Sequence, residues 1–124
     1  MREKLERVAN LEHENIVTYK RWSADGILET EDGSTERCAF IIMEVYQNGD
    51  MHNFLCPDDV SLNKYDPLHC KWLAAEMIKA VKFLHDNNLA HRDIKLDNFI
   101  LSNEFKPMLI DFGQVEEYDG QLCE

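Results

Sequence analysis

The sequence lacks an apolar run long enough to cross a membrane. Its best candidate, residues 39–43, ends at Glu44, whereas a transmembrane helix needs about 20 apolar residues. The first seven residues, Met-Arg-Glu-Lys-Leu-Glu-Arg, are mostly charged and lack the apolar core of a signal peptide. We therefore expect an intracellular protein, located in the cytoplasm.

Basic residues are also scarce. The 124 residues include 13 Lys or Arg against 24 Asp or Glu, so the formal net charge is −11. Nucleic acids and anionic lipid surfaces attract cationic faces, so this balance argues against both as partners. Apolar residues still make up 44% of the chain. That share is too high for a disordered acidic tail, and a single folded domain is expected.

The four cysteines form no recognisable metal or redox motif. None stands in a C-x-x-C pair or at zinc-finger spacing from a histidine. Two disulfides could form among Cys38, Cys56, Cys70 and Cys123, but reduced thiols are favoured in an intracellular protein. We predict free thiols, most of them buried.

Three segments of the first half predict strands, the first being a turn followed by a short strand over residues 13–19. Residues 23–37 are polar and carry hairpin turn signals at Asp25-Gly26 and Asp32-Gly33, with a possible short strand at Leu28 between them. Residues 39–45 form a nearly continuous apolar run with β-branched side chains. Such a run is typical of a buried strand.

Helices are predicted in three places. Apolar residues recur at helical spacing over residues 5–11, and residues 51–55 indicate one or two further turns. The long helix runs from Pro67 to about His85, with Asp66 as its N-cap. Its apolar residues form one stripe and a second row beside it: Leu73, Met77, Ala80 and Leu84, then Ala74, Ile78 and Val81. We expect this wide face to pack into a core.

The second half ends in short elements. Residues 56–65 are expected to form a loop, and residues 99–102 and 108–110 predict a hairpin with its turn at 103–107. Helices combined with antiparallel strands indicate the α+β class.

The most specific pattern is His91-Arg92-Asp93-Ile94-Lys95-Leu96-Asp97-Asn98, followed by Asp111-Phe112-Gly113. These residues match H-R-D-x-K-x-x-N and D-F-G, the catalytic-loop and metal-binding motifs of protein kinases. Eight fixed positions at fixed separations make an accidental match negligible. The chain therefore resembles the eukaryotic protein kinase family, and Lys95 is typical of the serine/threonine type.

The resemblance implies a role for each motif residue. Asp93 would accept the proton of the substrate hydroxyl, and Lys95 would contact the transferring phosphate of ATP. Asn98 and Asp111 would hold magnesium ions. His91 and Phe112 would stack with Val8 and a residue of the fourth strand as the regulatory spine. Arg92 would pair with a phosphate on the activation segment.

The resemblance also extends to the nucleotide pocket and its hinge. The segment His13-Glu14-Asn15-Ile16-Val17 is similar to the family's H-P-N-I-V link, and residues 40–50 are similar to the fifth strand and hinge. The residues expected to bind ATP are Met43, Glu44, Tyr46, Asp50 and Ile100. Met43 would be the gatekeeper and Ile100 the floor under adenine. Simple core packing is the alternative for these two, and it does not conflict with lining a pocket.

The implied fold is a protein-kinase-like one, truncated in both lobes. Residues 1–46 would form an N-lobe remnant with the hinge, and residues 47–124 a C-lobe remnant ending just past Gly113. These residues contain no Gly-rich loop, no V-A-I-K lysine and no A-P-E segment. Glu3 lies one residue from the place of the helix C glutamate, where Lys4 stands.

Two functions follow from this partial match. In the first, the complete protein is a serine/threonine kinase that transfers phosphate from ATP to a protein substrate, although these 124 residues alone are inactive. In the second, the chain is a catalytically dead module that binds partners or acts as a dominant negative. An unrelated acidic interaction domain would require an accidental motif match. Part of the long helix is expected to expose its apolar face.

Overall fold

The computed structural model describes residues 2–57 and 66–118. The chain divides into two compact units, Met1–Glu12 with Thr18–Glu44, and His13–Val17 with Val45–Glu124. Helices and antiparallel strand pairs occur together, which confirms the α+β class. The predicted lobe boundary at residue 46 stays a prediction. Within the described ranges, no helix has the length and apolar character needed to cross a membrane.

The first unit is a short helix with a long hairpin. Helix α1 spans Arg2–Ala9 and buries Val8, as the apolar spacing predicted. Strands β1 (Tyr19–Glu29) and β2 (Thr35–Met43) pair antiparallel from one end to the other. The turn between them is closed by two backbone hydrogen bonds: the Thr30 amide donates to the Ser34 carbonyl, and the Gly33 amide donates to the Thr30 carbonyl, both at 2.9 Å.

Gly26 lies inside β1, so the prediction of a turn at Asp25-Gly26 was wrong, as was a separate strand at Leu28. The register shifts between Ser23 and Gly26, which is the mark of a β-bulge. A Cβ atom at Gly26 would lie 2.3 Å from Cε1 of Phe40. The glycine therefore lets the phenyl ring lie against the strand. The turn at Asp32-Gly33 is confirmed, with Gly33 at a φ of +80°.

Strand β2 confirms the predicted strand but not its burial. Ile41, Ile42 and Met43 are exposed, Ile42 by 47%. Within the described residues β2 pairs with β1 alone, so apolar side chains that would be covered in a wider sheet face solvent. The pattern of residues 39–45 was read as a buried strand, and that part of the prediction was wrong.

The second unit carries the remaining elements: α2 (Met51–Leu55), α3 (Pro67–Asp86), β3 (Leu89–Ala90), a 3-10 helix (Leu96–Asn98), β4 (Phe99–Leu101), β5 (Pro107–Leu109) and β6 (Glu116–Glu117). Strand β4 pairs with β5 and confirms the predicted hairpin. Strand β3 pairs with β6. Ile16 forms a parallel bridge with Leu109, which attaches the 13–17 segment to β5. The predicted loop at 56–65 lies mostly outside the described residues.

Helix α3 begins where the sequence predicted. Asp66 caps it by accepting a hydrogen bond from the Leu68 amide (3.0 Å), and Pro67 occupies the first turn. The face formed by Leu73, Ala80 and Leu84 is buried in the unit. The second row is not fully packed, because Ile78 is 66% exposed. The expected partial exposure of this helix is thus confirmed.

The cysteines are reduced but not buried. Cys38, Cys56 and Cys70 are free thiols, and Cys56 is exposed while the other two are half-buried. The predicted burial was therefore wrong for all three. Cys38 lies on the two-stranded hairpin, Cys56 follows the short α2 and Cys70 lies in the first turn of α3. Cys123 lies outside the described residues.

Candidate active site

The loop after β3 brings three of the predicted site residues into contact. The Asn98 side-chain amide donates to Oδ2 of Asp93 (2.9 Å) and to the Asp93 carbonyl (2.7 Å). The Lys95 ammonium lies 3.0 Å from the same Oδ2. The loop can curl back this way because a 3-10 turn begins at Lys95. In this turn the backbone carbonyl of Lys95 accepts a hydrogen bond from the backbone amide of Asn98 (3.0 Å). One carboxylate is thus held by an ammonium and an amide.

These contacts keep Asp93 ionised. The hydrogen bonds from Lys95 and then from Asn98 hold the pKa of Asp93 below its ordinary value. The same pairing with Asp93 raises the pKa of Lys95, and Asp97 and Asp111 add to the rise. At neutral pH the site therefore presents a carboxylate beside a full positive charge.

His91 joins this loop to the chain around Asp111. Its Nε2 lies 2.8 Å from the Ile110 carbonyl, and its Nδ1 accepts from the Asp93 amide at 3.2 Å. A neutral ring with its proton on Nε2 satisfies both contacts. The ring meets that of Phe112 edge-on, with centroids 5.2 Å apart. Both residues are buried, so the His91–Phe112 part of the predicted spine is confirmed, while the part with Val8 stays a prediction.

Asp111 is presented by the end of β5 in an unusual backbone conformation. The Ile110 amide donates to the Asn98 carbonyl (2.9 Å), which places Asp111 next to the loop that carries Asn98. Asp111 itself has a φ of +59°, a region that non-glycine residues seldom adopt. Its Oδ1 accepts from the Gly113 amide at 3.3 Å. Strained residues of this kind are concentrated at functional sites.

The donors expected to hold magnesium are oxygens, as that ion prefers. Asp111 offers a carboxylate, and Asn98 keeps its Oδ1 because its amide nitrogen is used on Asp93. In the part of the chain that the structure describes, no three His, Cys, Asp or Glu side chains converge as a metal site. The donor set therefore fits a magnesium ion that takes its remaining ligands from phosphate and water, as is common for this ion.

The five residues expected at the nucleotide pocket are divided between the units. Met43 ends β2, and Glu44 pairs with Lys20 at 3.2 Å within the first unit. In the second unit Asp50 and Ile100 form a backbone bridge. Their joint role in binding ATP stays a prediction.

The side chains of Asp50 and Tyr46 have local partners in the second unit. The Asp50 carboxylate caps α2 by accepting from the Asn53 amide and from its side chain, both at 2.8 Å. Tyr46 lines an open cavity of about 380 Å³ together with Glu14 and Lys106. Asp50 therefore has a structural role as a helix cap, whatever else it binds.

Sequence reasoning missed two buried polar residues and one ion pair. Asn15 and Glu76 are buried and hydrogen-bond each other at 2.9 Å. Glu76 stands among apolar helix residues where no local pattern marks it. Arg92, expected to read a phosphate, lies 3.9 Å from Glu116 of β6. That contact depends on the β3–β6 pairing, and strands of two residues carry no sequence periodicity.

Comparisons with known proteins agree with the motif. The family model described as the protein kinase domain matches residues 1–123. The chain is 32% identical over 117 residues to 3-phosphoinositide-dependent protein kinase 1 of Caenorhabditis elegans, covering 90% of this chain and 18% of that protein. It is 36% identical over 78 residues to protein kinase C eta type of Homo sapiens, covering 63% of this chain and 11% of the relative.

The name of a further relative includes the serine/threonine class. Serine/threonine-protein kinase cds1 of Schizosaccharomyces pombe is 32% identical over 81 residues, covering 65% of this chain and 17% of that protein. The chain spans less than a fifth of the length of each of these three relatives.

Proposed function

This chain belongs to the protein kinase family, and we propose that it is the part of a serine/threonine kinase that carries the catalytic loop. The reaction would move a phosphoryl group from ATP to a serine or threonine hydroxyl of a protein substrate. The observation that carries the proposal is the contact of Asp93 with both Lys95 and Asn98. The name of the relative cds1, a serine/threonine-protein kinase, supports the serine/threonine class.

Each side chain has one task in this proposal. Asp93, kept ionised by its two partners, would orient the substrate hydroxyl and accept its proton. Lys95 would neutralise charge on the transferring phosphate. Asn98 and Asp111 would hold the magnesium, which supplies charge neutralisation at the phosphate oxygens when bound. Positioning and charge compensation are what phosphoryl transfer requires, and all four groups provide them.

The test uses the protein as cells make it. An antibody to residues 25–36 isolates it, intact-mass measurement gives its length, and radiolabelled ATP with magnesium reports transfer to a generic protein substrate. We expect a species far above 14.5 kDa that labels serine or threonine. Asp93→Asn should lower kcat by about 10²–10⁴-fold. The control Asp86→Asn removes an exposed α3 carboxylate that pairs with Lys82. Equal rates for both variants would refute the role of Asp93.

A partner-binding module that transfers no phosphate is the second candidate. It is favoured by apolar side chains that α3 leaves in solvent, Leu68 at 75% and Ile78 at 66% exposure. Exposed apolar patches on soluble proteins often mark interfaces. A cellular species of 14.5 kDa with no labelling activity would support this candidate against the first.

A further inference from the structure

A carboxylate is buried in α3 without any role in the proposed chemistry. Glu76 is 4% exposed, and it lies on the same face as Leu73 and Ala80. Removing a carboxylate from water costs several kcal/mol unless partners compensate. Its partners are Lys79, whose ammonium donates to Oε1 at 2.5 Å, and Asn15, whose amide donates to Oε2 at 2.9 Å.

The bond to Glu76 fixes the orientation of the Asn15 side chain. The same amide nitrogen also donates to the Pro107 carbonyl at 3.0 Å, while Oδ1 of Asn15 has no hydrogen-bond partner among the residues that the structure describes. Rotating the amide by half a turn would aim Oδ1 at a carboxylate and a carbonyl, which repel it. Two acceptors therefore hold Asn15 in one orientation.

Asn15 in turn holds strand β5. Its carbonyl accepts from the Leu109 amide (2.7 Å), and the Leu109 carbonyl accepts from the Val17 amide (3.1 Å). With the side-chain bond to Pro107, Asn15 grips both ends of β5. The Asn15 side chain thus contributes to this attachment as a donor, and its backbone carbonyl contributes as an acceptor.

The chain leaves β5 directly into the candidate active site. The residue after Leu109 is Ile110, whose amide bonds to the Asn98 carbonyl and whose carbonyl receives His91. Asp111 follows at once. A single residue, Ile110, thus separates the strand held by Asn15 from the expected metal ligand.

We propose that Glu76 is a positioning residue, which holds β5 through Asn15 and thereby sets the placement of Asp111 against Asn98. The inference rests on the proposed function in one respect only, which is that Asn98 and Asp111 bind a metal ion. Among the described residues the hydrogen-bond partners of Glu76 are Lys79 and Asn15, neither of which is an expected metal ligand. Its acceptor atom, rather than its charge, is what Asn15 requires, so glutamine should serve in its place.

The experiment follows amide hydrogen exchange and Mn²⁺ broadening by NMR in the full 124-residue chain. Glu76→Leu removes the acceptor, Glu76→Gln keeps it, and Asp86→Asn is a control that removes another α3 carboxylate paired with a lysine, at 2.5 Å. Losing a buried bond to a charged group should speed exchange at Leu109 and Ile110 by tenfold or more relative to the α3 amides. Glu76→Gln and the control should leave that ratio unchanged.

Mn²⁺ reports on the metal ligands separately. We expect Mn²⁺ to broaden the NMR signals of the Asn98 and Asp111 amides. Glu76→Leu should raise the Mn²⁺ concentration needed for this broadening by about tenfold. Uniform acceleration across α3 and β5, or failure of Glu76→Gln to restore the wild-type ratio, overturns the inference. If Glu76→Leu does not fold, Asn15→Ala replaces it, because that change leaves Glu76 paired with Lys79; if neither folds, Glu76→Gln alone decides. Absence of broadening in the wild type counts against the metal site, and the exchange ratio still decides the role of Glu76.

Discussion

Two leucines of α3 test which face of this helix is buried, because the same substitution by alanine can be made at both. Leu84 is fully buried and Leu68 is 75% exposed. Each is changed to alanine, which removes the same atoms from the same helix. The Leu68 amide keeps its bond to Asp66, because that bond uses the backbone.

The expected cost differs because only one site loses buried contacts. The atoms removed from Leu84 are worth about 2–3 kcal/mol at about 0.8 kcal/mol per methylene, and the cavity brings the total to about 3–5 kcal/mol. Leu68→Ala should change the free energy of unfolding by less than about 0.5 kcal/mol, since the side chain already lies in water.

Urea unfolding followed by far-ultraviolet circular dichroism measures both variants. With a slope of about 1–3 kcal/mol per molar urea, Leu84→Ala should lower the midpoint by about 1 M or more, and Leu68→Ala should leave it in place. Similar midpoints for the two variants would show that α3 does not bury the face assigned to it. A changed slope would indicate a different compactness of one state rather than a lost contact.

Three further outcomes are expected. Asp66→Ala should lower the free energy of unfolding by about 1 kcal/mol in the same assay, because α3 loses its N-cap. The pKa of Asp32 is lowered to about 2, first of all by the hydrogen bond from the Thr30 hydroxyl. Thr30→Val should therefore raise this pKa, as measured by NMR titration of the Asp32 carboxyl carbon. In the same titration Lys95→Met should raise the pKa of Asp93, because its largest source of depression is removed; an unchanged midpoint would mean that the pair does not form.

Local signals predicted the elements whose causes are local. Helix α3 begins at Asp66-Pro67 because a cap and a fixed φ act within one turn, and the β4–β5 hairpin follows from its own turn. The catalytic loop was found because Asp93, Lys95 and Asn98 match a short motif of the protein kinase family. A short motif could indicate their contacts because these contacts span five residues at most.

The errors came from features decided by distant residues. The Asp25-Gly26 pair was read as a turn, whereas Gly26 is small because Phe40 on the opposite strand lies against it. The burial of residues 39–45 depends on what covers the sheet. The sequence of a strand does not indicate which elements pack against it. The bond from Asn15 to Glu76 joins positions 61 residues apart, so it also left no local signal.

The bulge at Gly26 separates two ladders of the β1–β2 hairpin that have different registers. A further shift lies between Tyr19 and Arg21, so the inner ladder runs from Arg21 opposite Ile42 to Ser23 opposite Phe40, and the outer one runs from Gly26 to Glu29. Residues can therefore be added to or removed from both outer strands in equal number without altering the alternation of the inner ones. The outer ladder is the part of this hairpin whose length is free to drift during evolution, and it is a natural place to graft a tag or an epitope.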